Sequence, residues 1–508
     1  MARVARVARV AVHVKPHPRA VFGRRRGGRV REVLIMWNRA GFRVLYIFCL
    51  LSILSFAGCI KPENPHYCPG RNANNNCDEP PDPTSCTSND QCAEPTPVCD
   101  VTGAMACVQC TPDQPGACSG ATPACDEDRT CRACRAHAEC AASGICLPDG
   151  SCADPAQVAY VRPASLGGTH NTNCSLERPC TMVSYALATR RPLVKFAGTT
   201  DEAVTVQGGQ VVTFLGEPDA KLTRTSSVGA LLTVVGDGTS LTIYDLSIHN
   251  PSSVGIVISS GGGAPAFSLI RSKVMDNPGG GISATGGSLT VSQSTISGNI
   301  GGGISATGGS LTVSQSTISG NTGGGISATG SSLTVSQSTI SGNTGGGISV
   351  MNGTFNITNC FIVRNGNSNS TLVGGASFTT SSTNNVFSFN TVVDNEIANS
   401  SVFAGGVFCD IPDFTGANNI IVRNFVNNDP AKSNSNTSGQ CTYPTSTIAP
   451  TISDLSFVSP DATPYDYHIM PGSMAVDRAT TQSTVSVDVD GDRRPQGNAP
   501  DQGADEVP

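Results

Sequence analysis

Hydrophobic and polar residues alternate over short stretches between residues 277 and 365, and the same pattern returns in one copy after another. In one copy, a serine separates Ile304 from Ala306, and a threonine separates Leu311 from Val313. Alternation with a period of two is typical of a strand that buries one face and exposes the other. The pattern therefore predicts short β-strands with an apolar interior face, and the glycine pairs between them disfavour a helix.

Bends are expected within each copy at "TGG", "QS" and "GNTGG". Ile318 breaks the parity set by Leu311, which places one bend near Gln315 and Ser316. Each copy thus predicts three strands.

When the copies are aligned, every substitution in the interior columns replaces one apolar residue with another. These columns are Ile282, Ile304, Ile326 and Ile348; Leu289, Leu311, Leu333 and Phe355; Val291, Val313, Val335 and Ile357; and Ile296, Ile318, Ile340 and Ile362.

Columns of this kind place equivalent side chains at one position in every turn of a stacked solenoid. Each turn of the chain would rise by one inter-strand spacing, ~4.8 Å, and its backbone would hydrogen-bond to the turns above and below. Glycine suits the corners because it accepts positive φ. The sequence therefore predicts an all-β solenoid with coils of about 22 residues, a length within the range of known solenoid repeats.

A fifth column is polar and contains only asparagine. Its members are Asn277, Asn299, Asn321, Asn343 and Asn365. We predict a structural ladder in which stacked amides bond along the solenoid axis. The phrases "GGGI" and "IxxN" resemble the GGAI and FxxN repeats of polymorphic outer-membrane proteins, with Ile in place of Phe. The resemblance implies a right-handed parallel β-helix, which we place at residues 201–445.

Residues 157–200 precede this repeat and contain "AYVRPASLGGTHNTNCSLERPCTMVSYALAT". The order of strand, loop and short helix resembles the segment that caps the first coil in bacterial right-handed parallel β-helix proteins. Cys174 and Cys180 are spaced to close the loop with a disulfide. Cys409 and Cys441 form a second possible pair on later loops, and Cys360 occupies a serine column as a small buried residue.

A cysteine-rich segment spans residues 86–152, after a Pro/Asn-rich tether at residues 59–85. The motif "TPVCD" around Cys99 returns as "TPACD" around Cys125. We predict disulfides that stiffen a stalk too small for its own core. Zinc or redox chemistry at the C-x-x-C pairs is the alternative. The candidates are Cys92, Cys99, Cys107, Cys110, Cys118, Cys125, Cys131, Cys134, Cys140, Cys146 and Cys152. This density of cysteine indicates an oxidising compartment.

The N-terminal region predicts export. Residues 36–58 combine two arginines with an apolar run too short to span a bilayer, which is typical of a signal peptide. The following "FAGC" resembles the lipobox of bacterial lipoproteins, which implies that Cys59 is lipidated and, because Ile60 follows it, that the protein is sorted to the outer membrane or cell surface. An ordinary secretory signal, with Cys59 in a disulfide, is the alternative. Residues 1–35 are interpreted as lying upstream of the true start at Met36.

Charge restricts the functions that the chain can perform. Residues 1–58 hold 12 of the 32 basic residues and one of the 38 acidic ones, which leaves a net charge of −17 from Cys59 onward. A nucleic-acid partner is therefore not expected. No Asp, Glu, Lys, Arg or His occurs between Asn277 and Val363, so the central coils offer no acid or base for catalysis. Charged candidates occur only in later coils: Arg364, Asp394, Glu396, Asp410, Asp413 and Arg423.

Rows of hydroxyls are the main feature that the regular coils display. They are Thr290, Thr312 and Thr334, and Ser292, Ser314 and Ser336. Such rows could bind a glycan or even ice, although small polar residues are common on any exposed strand. The main hypothesis is a lipid-anchored surface protein with an adhesive or ligand-display role toward a glycan or a surface protein, with no catalytic residue and no cofactor. The alternative is a polysaccharide lyase or glycoside hydrolase with its site on the loops after residue 365.

Residues 446–508 carry "PGSMAVD", "DVDGDRRP" and "DQGADE". These phrases resemble the closing module of bacterial surface β-helix proteins of the choice-of-anchor type. We expect this segment to cover the open end of the last coil. Asp488, Asp490 and Asp492 are candidates for calcium ligands. Pairing of these carboxylates with Arg493 or Arg494 is the alternative.

Overall fold

A computed structural model describes residues 85–225, 229–370, 374–398, 402–427, 435–480 and 485–508. The predicted upstream segment, the signal peptide, Cys59 and nearly all of the tether lie outside the described residues. Residues 84–508 form one compact unit. Within it, the prediction of an all-β parallel solenoid preceded by a disulfide-rich region is confirmed.

The cysteine-rich region consists of small loops with little regular structure. It contains two antiparallel pairs, β1 (Val98–Cys99) with β2 (Cys107–Val108) and β3 (Ala124–Cys125) with β4 (Cys131–Arg132). Short 3₁₀ helices lie at Asn89–Gln91, Pro115–Ala117 and His137–Glu139, and two more follow at Pro155–Gln157 and Ala164–Leu166. Disulfides rather than an apolar core connect these loops.

The solenoid begins with β5 (Val158–Val161), helix α1 (Val183–Ala188) and β6 (Leu193–Phe196). Val183, Ala186 and Leu187 of α1 are buried in the core of the solenoid, so the helix covers the first coils. The Glu202 carboxylate accepts hydrogen bonds from the backbone N–H groups of Val183 and Ser184, which otherwise have no helical partner.

Ten parallel strands form the sheet that we call sheet A. They are β8 (Val204–Val206), β11 (Leu232–Val235), β14 (Ile256–Ser259), β17 (Ile282–Thr285), β20 (Ile304–Thr307), β23 (Ile326–Thr329), β25 (Ile348–Met351), β27 (Ala376–Thr379), β31 (Val407–Asp410) and β34 (Thr437–Gly439). Each strand comes from one turn of the chain, so the described part of the solenoid has ten turns.

A second stack, sheet B, follows sheet A in each turn. It contains β5, β6, β9 (Val211–Gly216), β12 (Ser240–Tyr244), β15 (Ala266–Ile270), β18 (Ser288–Ser292), β21 (Ser310–Ser314), the first halves of β24 (Ser332–Ser341) and β26 (Thr354–Val363), and β28 (Val386–Ser388).

The third stack, sheet C, completes each turn. It contains β7 (Thr199–Asp201), β10 (Lys221–Thr223), β13 (Ser247–His249), β16 (Lys273–Met275), β19 (Thr295–Ser297), β22 (Thr317–Ser319), the second halves of β24 and β26, β29 (Thr391–Val393), β32 (Ile420–Val422) and β35 (Thr447–Ala449). A short parallel pair, β30 (Glu396–Ile397) with β33 (Phe425–Val426), and an antiparallel hairpin, β36 (Phe457–Ser459) with β37 (Asp466–Ile469), lie outside these stacks.

The register of the regular coils follows the period of the sequence repeat. Ile304 pairs with Ile326, and Leu311 pairs with Leu333, so identical side chains stack along the axis. The bend between sheets B and C occurs at Gln315, where φ is 49°. A residue with positive φ reverses the direction in which the following side chains point. This explains the observed change of parity between Leu311 and Ile318.

The predicted asparagines form a continuous buried ladder. The backbone N–H of Asn299 donates to Asn321 Oδ1 at 3.0 Å, and its side-chain amide donates to the same oxygen at 2.8 Å. The same geometry repeats along the column, which also contains residues outside the regular coils. The additional members are Asn250, Asn395, Asn424 and Asn436. At the first of them, Asn250, only the backbone N–H donates to the next asparagine, and the side-chain amide donates to backbone carbonyl oxygens.

A second buried ladder runs between sheets B and C and was not identified as a ladder from the sequence. The backbone N–H of Ser294 donates to Ser316 Oγ, and that of Ser316 donates to Ser338 Oγ, both at 3.1 Å. Cys360 follows in this column as a buried free thiol, and burial raises its pKa to about 12. The two ladders satisfy backbone groups at corners where the strands end.

Three cysteine modules follow one another and begin at Cys86, Cys110 and Cys134. In each module the first cysteine pairs with the third and the second with the fourth. The pairs are Cys86–Cys99 and Cys92–Cys107, Cys110–Cys125 and Cys118–Cys131, and Cys134–Cys146 and Cys140–Cys152. Both C-x-x-C pairs therefore straddle a boundary between modules. Cys86, which was not among the predicted partners, belongs to the first module.

Two further disulfides lie in the solenoid. Cys174 pairs with Cys180 in the loop before α1, and Cys409 pairs with Cys441 across the last turns of sheet A. Every predicted disulfide candidate is thus bonded in the structure. The third cysteine module also packs directly on the solenoid, where Ile145 contacts the outward-facing residues Val158 and Tyr160 of β5.

The C-terminal segment packs against the outer side of sheet C. In the regular coils the outward positions of this sheet are Thr339 and Ser341, but in the next turn they are Phe361 and Val363. These apolar side chains, together with Val393, Ile420 and Val422, form one cluster with the C-terminal segment. Gln502 of the same segment also hydrogen-bonds to Thr447 and Thr445 of the last coil, and the expectation that residues 446–508 cover its open end stays a prediction.

Candidate functional site

The charged residues that the sequence offered for catalysis meet partly in one pocket beside sheet C. The pocket has a volume of about 440 Å³ and is lined by Arg364, Asp394, Glu396, Arg423 and Asp461, among other residues. It gathers carboxylates and guanidinium groups, which are the side chains that a lyase or glycosidase would use.

Asp394 is committed to structural contacts in this pocket. It is only 8% exposed, and Arg423 donates to both of its oxygens, with the Nη2–Oδ2 distance at 2.7 Å. The Tyr467 hydroxyl donates to Oδ2 at 2.6 Å. Burial and the Asp394 charge raise the pKa of Tyr467 above its usual range. A carboxylate held in this way has little freedom to accept a proton from a substrate.

The two arginines beside Asp394 are also engaged. Arg423 donates to Asp461 at 2.8 Å. Burial by itself lowers the pKa of Arg423, but the ion pairs with Asp394 and Asp461 have the larger combined effect and raise this pKa. The Arg364 guanidinium lies 3.7 Å from the centre of the Tyr465 ring, a cation–π contact. The pocket therefore functions as the junction between sheet C and the C-terminal segment.

The remaining charged candidates are not part of this junction. Asp410 ends β31 and accepts a 2.6 Å hydrogen bond from Gln440. Asp413 lies on the loop after β31 with a positive φ of 59°. Neither residue lines the pocket that contains Asp394, so the structure separates the candidates into two groups.

A groove with a volume of about 680 Å³ follows the regular coils along sheet A. Its floor carries one serine from each of four successive turns, and its wall is the backbone of the GGG corners. The serines are Ser283, Ser305, Ser327 and Ser349. Among the described residues, no charged side chain and no aromatic ring lines this groove.

Each of the three glycines in a GGGI corner is required for a different physical reason. A Cβ on Gly301 would lie 2.5 Å from the Gly279 carbonyl carbon, and a Cβ on Gly303 would lie 2.6 Å from the Gly325 oxygen. Between them, Gly302 has a φ of +108°, which L-residues rarely adopt. The corner therefore exposes bare backbone, which forms a smooth wall along the groove.

The groove serines differ from the hydroxyl rows of sheet B that the repeat pattern predicted as a display surface. In the rows of sheet B, Ser314 donates to Ser292 at 3.2 Å, so part of their hydrogen-bonding capacity is used within the protein. Within the described residues, the Ser305 and Ser327 hydroxyls have no protein partner, and both side chains are exposed. The recurrence of serine at this position of each copy was the available sequence signal.

The predicted calcium residues have different surroundings from one another. Asp488 is fully buried and accepts hydrogen bonds from the backbone N–H groups of Asp490, Asp492 and Glu506. Asp490 lies 2.9 Å from the His468 imidazole, and Asp492 is exposed. The three carboxylates are therefore not grouped as one set of ligands.

Arg494, an alternative predicted partner of these carboxylates, forms its ion pair with a different acidic residue. Arg494 forms a fully buried ion pair with Glu506 at 2.8 Å and donates to the carbonyl oxygens of Asp501 and Gly503. The negative charge of Glu506 favours a higher pKa for Arg494, but burial has the larger effect and lowers this pKa. The residues of the closing phrases thus satisfy one another's polar groups.

Among the described residues, no helix has the length and apolar character needed to cross a bilayer.

Comparison with known proteins supports the architecture. Residues 231–392 match the family described as "Right handed beta helix region". No curated protein matches the chain. Among solved structures, the chain is similar to pectate lyase Pel9A, with 16% sequence identity and a TM-score of 0.40 over 69% of this chain and 96% of that one. The family match and the stacked parallel strands show that the chain contains a right-handed β-helix repeat.

Proposed function

We propose that this chain is an exported, lipid-anchored surface protein whose β-solenoid binds a neutral, hydroxyl-rich polymer such as a glycan, without converting it. The observation that carries this proposal is the uncharged groove along sheet A, in which four serines repeat at one position of successive turns. The groove runs parallel to the solenoid axis, so it suits a linear chain better than a compact small molecule.

The binding chemistry follows from the lining. Each serine hydroxyl can donate one hydrogen bond and accept two, and neighbouring hydroxyls are spaced by ~4.8 Å, the rise of one turn. The exposed Gly–Gly backbone allows a ligand to approach closely. The Asn ladder rigidifies the adjoining corner, so little conformational entropy is lost on binding. Because the lining is neutral, a polyanion would gain no charge pairing there.

The surface location rests on the disulfides and on the N-terminal sequence. The eight described disulfides favour an oxidising compartment. Lipidation at Cys59 is tested by mass spectrometry of the N-terminal peptide after expression in a Gram-negative host. We expect a diacylglyceryl group and an added acyl chain on Cys59, and loss of membrane association in Cys59→Ser. An unmodified Cys59 in membrane fractions would contradict anchoring by this residue.

The binding proposal is tested with the full chain on an array of neutral and acidic glycans. We expect retention on a neutral polymer and at least a tenfold loss in Ser305→Arg and in Ser327→Arg, because an arginine there would fill the groove. Ser314→Arg on sheet B is the matched control and should bind like the wild type. Equal loss in the control would move the site to sheet B or indicate nonspecific binding.

The enzyme alternative is measured in the same experiment. Release of new reducing ends or unsaturated sugars, abolished by Asp394→Asn, would overturn the non-catalytic proposal. The engagement of Asp394 by Arg423 and Tyr467 is the reason that we expect no product.

A further inference from the structure

A cluster of metal-ligating side chains lies in the C-terminal segment, outside the groove and the Asp394 pocket. It contains His468 from β37, Asp490 from the loop after residue 487, and Asp505 near the C-terminus. One ligand atom from each residue lies within 4.8 Å of the other two. His468 Nε2 is 2.9 Å from Asp490 Oδ2.

Asp505 supplies the strongest indication that a cation belongs in this cluster. It is 8% exposed, and one of its oxygens accepts a 2.8 Å hydrogen bond from the Ile469 N–H. Within the described part of the chain, no group donates to its second oxygen, and no basic side chain forms an ion pair with it. A buried carboxylate outside any ion pair is costly even with the charges of His468 and Arg494 nearby, and a bound cation would reduce that cost.

The imidazole is already held in an orientation suited to metal binding. His468 Nδ1 lies 2.5 Å from Asp466 Oδ1, and the ring packs edge-on against Phe361 at a centroid distance of 4.9 Å. A carboxylate on the far nitrogen of a histidine fixes the tautomer and leaves the other nitrogen free as a ligand. Nε2 is the nitrogen that points toward Asp490.

The loop that carries Asp490 is held in place independently. Asp488 is buried, and its Oδ1 accepts the backbone N–H groups of Asp490 at 3.0 Å and Asp492 at 2.7 Å. Asp490 itself is mostly exposed, so its carboxylate can bind an ion without disturbing the packing of the loop.

We propose that His468, Asp490 and Asp505 bind one divalent transition-metal ion, with zinc as the representative of this class. One imidazole nitrogen and two carboxylate oxygens are ligands that zinc accepts, and three protein ligands leave a position for water. An imidazole ligand disfavours calcium and magnesium, which prefer oxygen alone. Asp466 is a positioning residue for His468. The bound ion would connect β37, the Asp490 loop and the C-terminal end of the chain.

The test uses the full chain, purified without reductant so that the disulfides remain closed, stripped of metal and titrated with ZnCl₂. We expect the wild type to bind one more zinc equivalent at micromolar concentration than His468→Ala and Asp490→Asn do. Asp492→Asn, an exposed carboxylate in the same loop, should retain the wild-type stoichiometry. Zinc should also raise the Tm of the wild type and of Asp492→Asn, but not that of the two ligand variants.

A parallel titration with CaCl₂ separates the two ion classes. We expect calcium to compete weakly, if at all, with zinc. Equal zinc stoichiometry in the wild type and in His468→Ala would overturn the proposal, as would binding of calcium that His468→Ala does not change. Because Asp490 and His468 are partly exposed, circular dichroism of both variants should match the wild type, which confirms that lost binding is not lost folding.

Discussion

The Tyr467 hydroxyl donates a 2.6 Å hydrogen bond to Asp394, although 73 positions separate the two residues in the sequence. Asp394 follows β29 of the solenoid, and Tyr467 belongs to the C-terminal hairpin. The contact converts a carboxylate that resembles a catalytic candidate into part of an interface. Around it, apolar residues of sheet C and of the C-terminal segment form a common cluster.

Removal of this hydroxyl should weaken the attachment of the C-terminal segment. We expect Tyr467→Phe to lower the free energy of unfolding by about 1.5–3 kcal/mol, the usual contribution of a buried hydrogen bond to a charged group. The measurement is chemical denaturation under non-reducing conditions. Tyr465→Phe is the control, because that side chain is 42% exposed and contacts Arg364 through its ring. Equal effects of the two changes would contradict this role of Tyr467.

Interruption of the asparagine ladder should be costly. Asn321→Ala would leave the backbone and side-chain N–H groups of Asn299 without their acceptor and the Asn343 oxygen without one of its donors. Each buried group that loses its partner costs about 1–3 kcal/mol, so we expect a loss of at least about 3 kcal/mol. Thermal and chemical unfolding measure this loss. Thr322→Ala, at the adjacent exposed position, should stay within about 0.5 kcal/mol of the wild type.

Deletion of one full coil should leave the solenoid folded. Without residues 308–329, Thr307 would join Gly330, and each remaining side chain would meet an equivalent neighbour one turn away, because the deletion removes one complete period of the register. We expect a wild-type circular dichroism spectrum and a rod shorter by ~4.8 Å in small-angle scattering.

The matched control removes half a coil, residues 308–318. This deletion joins Thr307 to Ser319, so one turn loses all of its sheet B strand and all but one residue of its sheet C strand. We expect aggregation or a large fall in Tm. A folded half-coil variant, or a misfolded full-coil variant, would show that the register of the sequence repeat does not determine the stacking.

Lys195 should make stability depend on pH above neutrality. Its ammonium is buried without a described hydrogen-bond partner, and burial lowers its pKa from 10.5 to about 8, despite the nearby charges of Glu217 and Asp245. Between pH 8 and 10.5 the unfolded chain therefore binds more protons than the folded one. The free energy of unfolding should rise with pH across this window. Below the window, it should be lowered by the full cost of burying the charged ammonium group.

Replacement by an apolar side chain removes the penalty. We expect Lys195→Met to increase the free energy of unfolding by roughly 3 kcal/mol at pH 7, since one pKa unit corresponds to about 1.4 kcal/mol. The increase should shrink toward pH 10.5. Lys273→Met, at an exposed position of β16, is the control and should show neither effect. A pH-independent difference between Lys195→Met and the wild type would contradict the assignment to the buried charge.

The cysteine modules show how much of a disulfide region can be predicted from cysteine spacing alone. The repeated "TPVCD" and "TPACD" phrases correctly indicate a tandem disulfide region, but the unit that they suggest, from Cys99 to Cys125, is slightly longer than the module that runs from Cys86 to Cys110. Cysteine spacing does not determine connectivity. The first-to-third and second-to-fourth pairing depends on how each loop folds back, and it leaves Cys107 and Cys110 in different modules.

The repeat could be recognised from the sequence because each of its contacts links equivalent positions of adjacent copies. Alternation specified the strands, the parity change specified the bend at Gln315, and the asparagine column specified a buried ladder. In a solenoid each turn contacts only its neighbours, so a constant spacing carries most of the information about the fold.

Tertiary structure alone decided how the flanking segments use the surface of this solenoid. The contacts of Tyr467 with Asp394 and of His468 with Asp490 join residues whose separation follows no period. They depend on where the C-terminal segment lies against Phe361 and Val363, and no local propensity encodes that position. The same non-local packing determines which charged residues are buried as structural pairs and which remain available to bind a ligand.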